Sequence, residues 1–294
     1  MDAESLAPSL SETARIARQA LSDVAPEPGV HKPDPILKAV GVRRNFGGIT
    51  AVDVDRVEVQ RGSITALIGP NGAGKTTFFN LVTGFDKPDA GNWSFDGESM
   101  EGVASHKMAA RGMVRTFQLT KSLTRLAVIE NMKLGATGQR GEKWWNGLLP
   151  GTWRSQEAEI EQRADELLAR FKLHHMRDEY AGSLSGGQRK LLEMARALMT
   201  NPTLVMLDEP MAGVNPALKQ SLNEHVRGLR DDGMTVLFVE HDMDMVHDIS
   251  DWVIVMAEGR VIAEGTPDDI ATNTDVIDAY LGAHQGLSLL EDEL

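Results

Sequence analysis

The segment Gly69-Pro-Asn-Gly-Ala-Gly-Lys-Thr-Thr77 constrains this chain more than any other stretch. An apolar run, Ile64-Thr-Ala-Leu-Ile68, precedes it and reads as a buried strand. Phe78-Phe-Asn-Leu-Val82 follows and reads as a helix. Strand, glycine-rich turn and helix in that order build a cradle for phosphate groups. Gly69, Gly72 and Gly74 let backbone N–H groups turn inward, and the helix start adds positive dipole where an anion sits. Lys75 stands at the offset from Gly69 and Gly74 that lets an ammonium reach the outer phosphates, and the Thr76 hydroxyl is placed to ligate magnesium. A simple glycine turn accounts for the glycines but not for the flanking elements or the Lys-Thr pair.

Other segments supply the rest of an α/β layout. Ile36–Val42, Val54–Val59 and Trp93–Phe95 read as strands, as do the short apolar runs Leu204–Leu207, Val236–Val239 and Trp252–Met256. Glu157–Phe171 carries Ile160, Ala164, Leu167, Leu168 and Phe171 on one helical stripe, and Pro216–Arg230 reads as a helix. The expected organisation is a mobile leader over 1–35, with a short helix within Ser9–Val24 and prolines beyond it. One α/β domain spans 36–283, with a helical insertion over about 104–200, and 284–294 form a tail. Trp144 and Trp145 either cover that insertion or meet a partner helix.

Composition narrows the chemistry. The 294 residues hold no cysteine, which excludes thiolate catalysis, zinc-thiolate sites and disulfides. A formal net charge of −13 argues against a nucleic-acid backbone as partner. No stretch approaches the eighteen apolar residues that a membrane-crossing helix requires, so a membrane role is expected to come through a partner.

Two further motifs bear on the phosphate loop. Thr203-Leu-Val-Met-Leu-Asp208-Glu209-Pro210 is a strand ending in two carboxylates, and ligands gather at strand C-terminal ends in parallel sheets. Asp208 is placed to hold magnesium and Glu209 to polarise an attacking water; solvation of a loop is the plain alternative. Leu184-Ser-Gly-Gly-Gln188 opens a helix whose apolar stripe is Leu191, Leu192, Ala195, Leu198 and Met199. It reads either as a serine N-cap or as a second anion-binding helix start. One chain with one phosphate loop has no need of two such starts. Two copies facing head-to-tail would use both, each signature helix completing the other's site.

Gly69–Thr77, Leu184–Gln188, Leu204–Glu209 and His241 together resemble the nucleotide-binding subunit of ABC transporters over residues 36 to 283. The resemblance implies a P-loop NTPase fold: a RecA-like parallel sheet core, an antiparallel β subdomain and a helical insertion bearing the signature. It implies ATP and Mg2+ as cofactors, with Thr76, Gln118 and Asp208 around the metal. Phe46 looks like the aromatic residue that stacks on adenine, Gln118 like the glutamine that senses the attacking water, Glu209 like the catalytic glutamate and His241 like the γ-phosphate switch. Ser185, Gly186, Gly187 and Gln188 look like the signature that meets ATP held by the opposite protomer. Ala212-Gly-Val-Asn215 departs from the aspartate-containing string common in the family, so Asn215 is a helix cap first and a dimer-loop residue second.

Finer resemblance points to importers of branched-chain amino acids and related amides. It lies in Arg115-Thr-Phe-Gln118, Glu130-Asn-Met132, Met211–Pro216, Glu240-His-Asp-Met243 and Asp275-Val-Ile-Asp-Ala-Tyr-Leu-Gly282. Lipopolysaccharide exporters and soluble ABC ATPases are the alternatives. The partners implied are a second ATPase subunit, identical or similar, two membrane permeases and, indirectly, a solute-binding protein. The implied location is the cytoplasmic face of the membrane.

Overall fold

In chain order the elements are α1 (Glu12–Ser22), β1 (Pro35–Phe46), β2 (Ile49–Gln60), β3 (Ile64–Ile68), α2 (Lys75–Val82), β4 (Ala90–Phe95), β5 (Glu98–Ser99) and β6 (Met113–Arg115). There follow α3 (Val128–Lys133), α4 (Arg154–Arg170), α5 (Gly186–Ala197), β7 (Leu204–Asp208), α6 (Pro216–Asp231), β8 (Thr235–Val239), α7 (Met243–Ile249), β9 (Trp252–Ala257), β10 (Arg260–Gly265) and α8 (Pro267–Ala271). Residues 274–281 are helical. This computed structural model describes residues 11–116, 124–136 and 154–281. The chain divides into one unit of 1–105 with 226–294, and a second of 106–225.

In the first unit, β1 and β2 form a long antiparallel hairpin registered from Pro35↔Gln60 to Phe46↔Ile49. Gly47 and Gly48 turn it with positive φ, a conformation that side chains resist. β4 pairs with β1, and β5 with β4, which completes an antiparallel sheet. β3 lies between two parallel neighbours, with Ile64 opposite Val236 of β8 and Thr65 opposite Trp252 of β9; β10 returns antiparallel to β9. Every residue of β3 and β8 is buried, which is why these strands read as unbroken apolar runs. Phe78, Phe79, Leu81 and Val82 bury one side of α2, so the helix that begins at the glycine loop is anchored by its own apolar face.

The expectation of a mobile leader is corrected for residues 11–35, which are packed into this unit. Ser11 caps α1 by accepting from the Ala14 N–H, its own N–H donates to Asp231 O at 3.2 Å, and Ala14, Ala17 and Leu21 are buried. Further on, the fully buried Lys32 ammonium donates to Glu264 at 2.8 Å and sits 4.6 Å from the Trp252 ring centroid. Glu264 also accepts from Trp252 Nε1 and from the Gly29 N–H. Burial pushes its carboxyl above the usual range, against the pull of Lys32. Pro26, Pro28 and Pro33 lie in a stretch of turns and bends without helix or strand, and Pro35 opens β1. What holds that stretch is a charge pair 232 residues apart.

In the second unit, β6 and β7 run parallel, with Met113 opposite Leu204 and Arg115 opposite Met206. The helical reading of about 104–200 therefore contains a strand. Three residues are too few to show a period, and only pairing reveals it. The helices bury Val128, Met132, Ala164, Leu168, Phe171, Leu191, Leu192 and Ala195. Arg177 fastens the C-terminal half of α4 through Asp165 at 2.6 Å and Glu161 at 2.5 Å. The boundary between units falls inside α6, beyond the expected limit near 200. Trp144, Trp145 and the tail 284–294 lie outside the described residues.

Candidate functional site

The loop of the first unit is shaped by two glycines that no other residue can replace. Gly69 has φ 145°, and a Cβ there would stand 2.0 Å from Met256 O. Gly74 has φ 96°, with its Cβ position 2.3 Å from Ala51 O. Gly72 also needs its positive φ, 81°, but faces open space. The loop is therefore pressed against β9 and β2 and held in one shape. Ala73 is buried at its centre, donating to Pro70 O and accepting from the Gly259 N–H.

Gly74 is the N-cap of α2, and no side chain caps the helix there. The exposed start of α2 thus keeps its donors for an anion. Lys75 Nζ folds over the loop, donating to Gly69 O at 2.6 Å and Pro70 O at 2.9 Å. Asn71 and Thr76 are exposed, while Pro70 and Thr77 are half-buried. The Tyr280 hydroxyl is buried near the Gly69 N–H. Burial raises its pKa and that N–H opposes the rise. The contact falls short of a formed hydrogen bond, and among the described residues the oxygen has no other partner.

Two more predicted residues belong to this unit. Phe46, at the tip of the β1–β2 hairpin, is 47% exposed, unusual for an aromatic side chain that a core could take. The Arg44 guanidinium lies 4.6 Å from its ring centroid, and salt bridges to Asp86 and Asp89 fix that arginine. His241 follows β8 with its side chain 66% exposed, next to the buried Glu240. Glu240 accepts from the His241 N–H at 3.2 Å, and Asp242 caps α7, so the backbone on both sides of His241 is fixed while its ring stays open.

In the second unit, β7 ends at Asp208, whose Oδ2 accepts from Arg115 Nη2 at 2.5 Å. Glu209 has φ 46°, the left-handed region that costs an ordinary side chain about 1 kcal/mol or more. Lys190 Nζ on α5 donates to Glu209 O and Pro210 O, pinning that turn. Ser185 and Gln188 form a reciprocal capping box: Gln188 N–H donates to Ser185 Oγ at 3.2 Å, and Ser185 N–H to Gln188 Oε1 at 2.9 Å. The serine N-cap reading of the Ser-Gly-Gly-Gln string is therefore present in the structure. Gly186 faces open space, whereas a Cβ on Gly187 would meet Leu218 Cδ2 at 1.6 Å. Asn215 Oδ1 accepts from the Leu218 N–H at 3.0 Å, which makes it the cap of α6 with Pro216 in the first turn.

Gln118 lies outside the described residues. Among the described residues no group of three or more His, Asp or Glu side chains forms a metal cluster. The Thr76 hydroxyl and Asp208 carboxylate are instead hard oxygen donors, the chemistry that suits magnesium bound mainly through phosphates and water. Sequence reasoning missed Arg115 on Asp208, Lys190 under the Glu209 turn and Tyr280 at the loop. Arg115 and Tyr280 stood inside quoted motifs, but nothing in a linear string marks their partners.

The fold and the loop define a phosphate-binding α/β protein of the P-loop type. The family described as ABC transporter matches residues 52–212, and that described as branched-chain amino acid ATP-binding cassette transporter matches residues 260–285. The chain belongs to the ABC transporter family. It is 42% identical over 248 residues to the probable branched-chain amino acid transport ATP-binding protein LivG of Archaeoglobus fulgidus, covering 84% of this chain and 96% of that one. It is 40% identical over 250 residues to the high-affinity branched-chain amino acid transport ATP-binding proteins BraF of Pseudomonas aeruginosa and LivG of Escherichia coli K12, in each case 84% of this chain and 98% of the relative. The solved structure of an ATP-binding cassette in its ADP conformation superposes with a TM-score of 0.74 at 38% identity, over 84% of this chain and 99% of that one. A nucleotide-free cassette from an ABC transporter gives the same TM-score at 37% identity, over 84% and 98%.

Proposed function

We propose that this chain is the ATP-hydrolysing subunit of an ABC importer for branched-chain amino acids or related amides. The observation that carries this is the glycine-locked loop ahead of an uncapped helix, in a chain whose relatives are named for that transport. Lys75 leaves the Gly69 and Pro70 carbonyls for the outer phosphates, and the N–H groups from Gly72 to Thr77 hold the rest. The exposed Phe46 ring stacks on adenine. Thr76 and Asp208, with Gln118, would hold magnesium, which would neutralise phosphate charge. Glu209 polarises the attacking water, its carboxylate aimed by the left-handed turn that Lys190 pins. His241 meets the γ-phosphate. Most of the rate comes from positioning and electrostatics.

Two ATPase subunits close on two nucleotides, Ser185–Gln188 of each completing the site of the other. That closure shifts two permeases, at the cytoplasmic face of the membrane, into their alternate state. No helix among the described residues is long and apolar enough to cross a membrane, consistent with attachment through those permeases. The transported solute meets the permeases and a solute-binding protein, never this chain.

The test is Glu209→Gln. It should bind ATP with near-normal affinity while steady-state phosphate release falls by roughly 10²-fold or more, as loss of a general base does. Phosphate release within a few-fold of the parent would remove Glu209 from its role.

A further inference from the structure

Arg115 and Asp208 form a nearly dry ion pair on adjacent strands. Their side chains are 7% and 12% exposed, and Nη2 lies 2.5 Å from Oδ2. The pairing follows from register. Arg115 lies opposite Met206, and Asp208 is two residues further along β7, so it shares the face of Met206. The Thr116 N–H donates to Met206 O at 3.0 Å and fixes β6 just where the arginine projects. A carboxylate so far out of water needs a counter-charge. Asp208 is also the oxygen donor assigned to magnesium.

We propose that Arg115 is a positioning residue for the metal: it acts as the resident cation of Asp208, and so makes divalent-ion binding there depend on the arrival of nucleotide. This rests on the ATPase reading above. A guanidinium at hydrogen-bond distance repels a second cation and occupies one carboxylate oxygen. Magnesium alone cannot displace it cheaply. A triphosphate arriving with the metal would bring negative charge that offsets the Arg115 guanidinium, and Asp208 could then turn one oxygen to the metal. The arginine is then free to hold the remaining oxygen. The device keeps the buried carboxylate charged and correctly aimed in both states.

The experiment is a manganese titration of the full chain, followed by electron paramagnetic resonance, with and without a non-hydrolysable ATP analogue. Fluorescent ATP binding in EDTA is measured alongside. The parent should bind Mn2+ at least tenfold more tightly with the analogue than without it. Arg115→Met should bind Mn2+ several-fold more tightly than the parent without nucleotide, so that the dependence shrinks. Arg115→Lys, which keeps the charge, should restore it. Nucleotide-free Mn2+ affinity in Arg115→Met that is unchanged or weaker overturns the proposal. Arg115→Gln, checked by thermal melting, gives the same readout if the methionine variant is poorly folded. Asp208→Ala separates the two readings. If it lowers Mn2+ affinity with the analogue while Arg115→Met changes nothing, only this inference fails. If it has no effect, the metal assignment of Asp208 fails, and this inference with it.

Discussion

Two glycine-rich helix starts, one in each unit, look alike as strings and are built on opposite plans. At Gly69–Thr77 the backbone is forced: two glycines hold conformations and spaces closed to any side chain, and no side chain caps α2. At Ser185–Gln188 the helix caps itself, serine and glutamine satisfying each other's N–H groups. Gly186 there has open space around it. The first is a loop whose backbone shape is fixed by glycines, ahead of a helix start that no side chain caps. The second is a stable helix end whose glycine surface stays open for something outside the unit. Gly187 is instead packed against Leu218 of its own unit, so only Gly186 presents an open glycine.

The contrast breaks most visibly at Gly69. Gly69→Ala drives a methyl into Met256 O in a left-handed backbone, at a cost of roughly 2–3 kcal/mol or more. The expected outcome is a lower melting temperature together with loss of ATP binding. A variant of parental stability and affinity would show that the loop is not locked. Gly187→Ala should cost less, about 1–3 kcal/mol, because its neighbour is the movable tip of Leu218. Adding Leu218→Ala should recover part of that stability in denaturant melts. No recovery would mean that the strain lies in the backbone. Ser185→Ala should cost the least, about 1 kcal/mol for a lost cap. If the signature acts on nucleotide, its ATPase activity should fall well beyond what that small loss explains. Activity that merely tracks stability would reduce the serine to a cap.

Much of this was legible in the string. The strands at Leu204, Val236 and Trp252 announced themselves because strands buried on both faces carry unbroken apolar runs, and the helix after Gly74 because its apolar face follows at once. Fold and family followed from three motifs. Long-range pairing was not legible. Nothing near Lys32 shows that Glu264 and Trp252 will enclose it, so an ordered, packed segment read as a mobile leader. β6 was invisible because three residues carry no period, and Arg115 was read as a motif letter without its carboxylate partner. The readable features are those that recur every few residues or sit in one string. The unreadable ones depend on residues that meet only after folding.

The most direct test of the account places one cysteine at Asn71, in the exposed phosphate loop, and one at Gly186, in the signature, of a chain that has none of its own. Oxidised in the Glu209→Gln background, this pair should yield covalent dimers when ATP and magnesium are present and monomers when they are absent. Equal crosslinking with and without nucleotide, or none under either condition while the chain with Glu209 intact hydrolyses ATP at full rate as a monomer, would contradict the shared site.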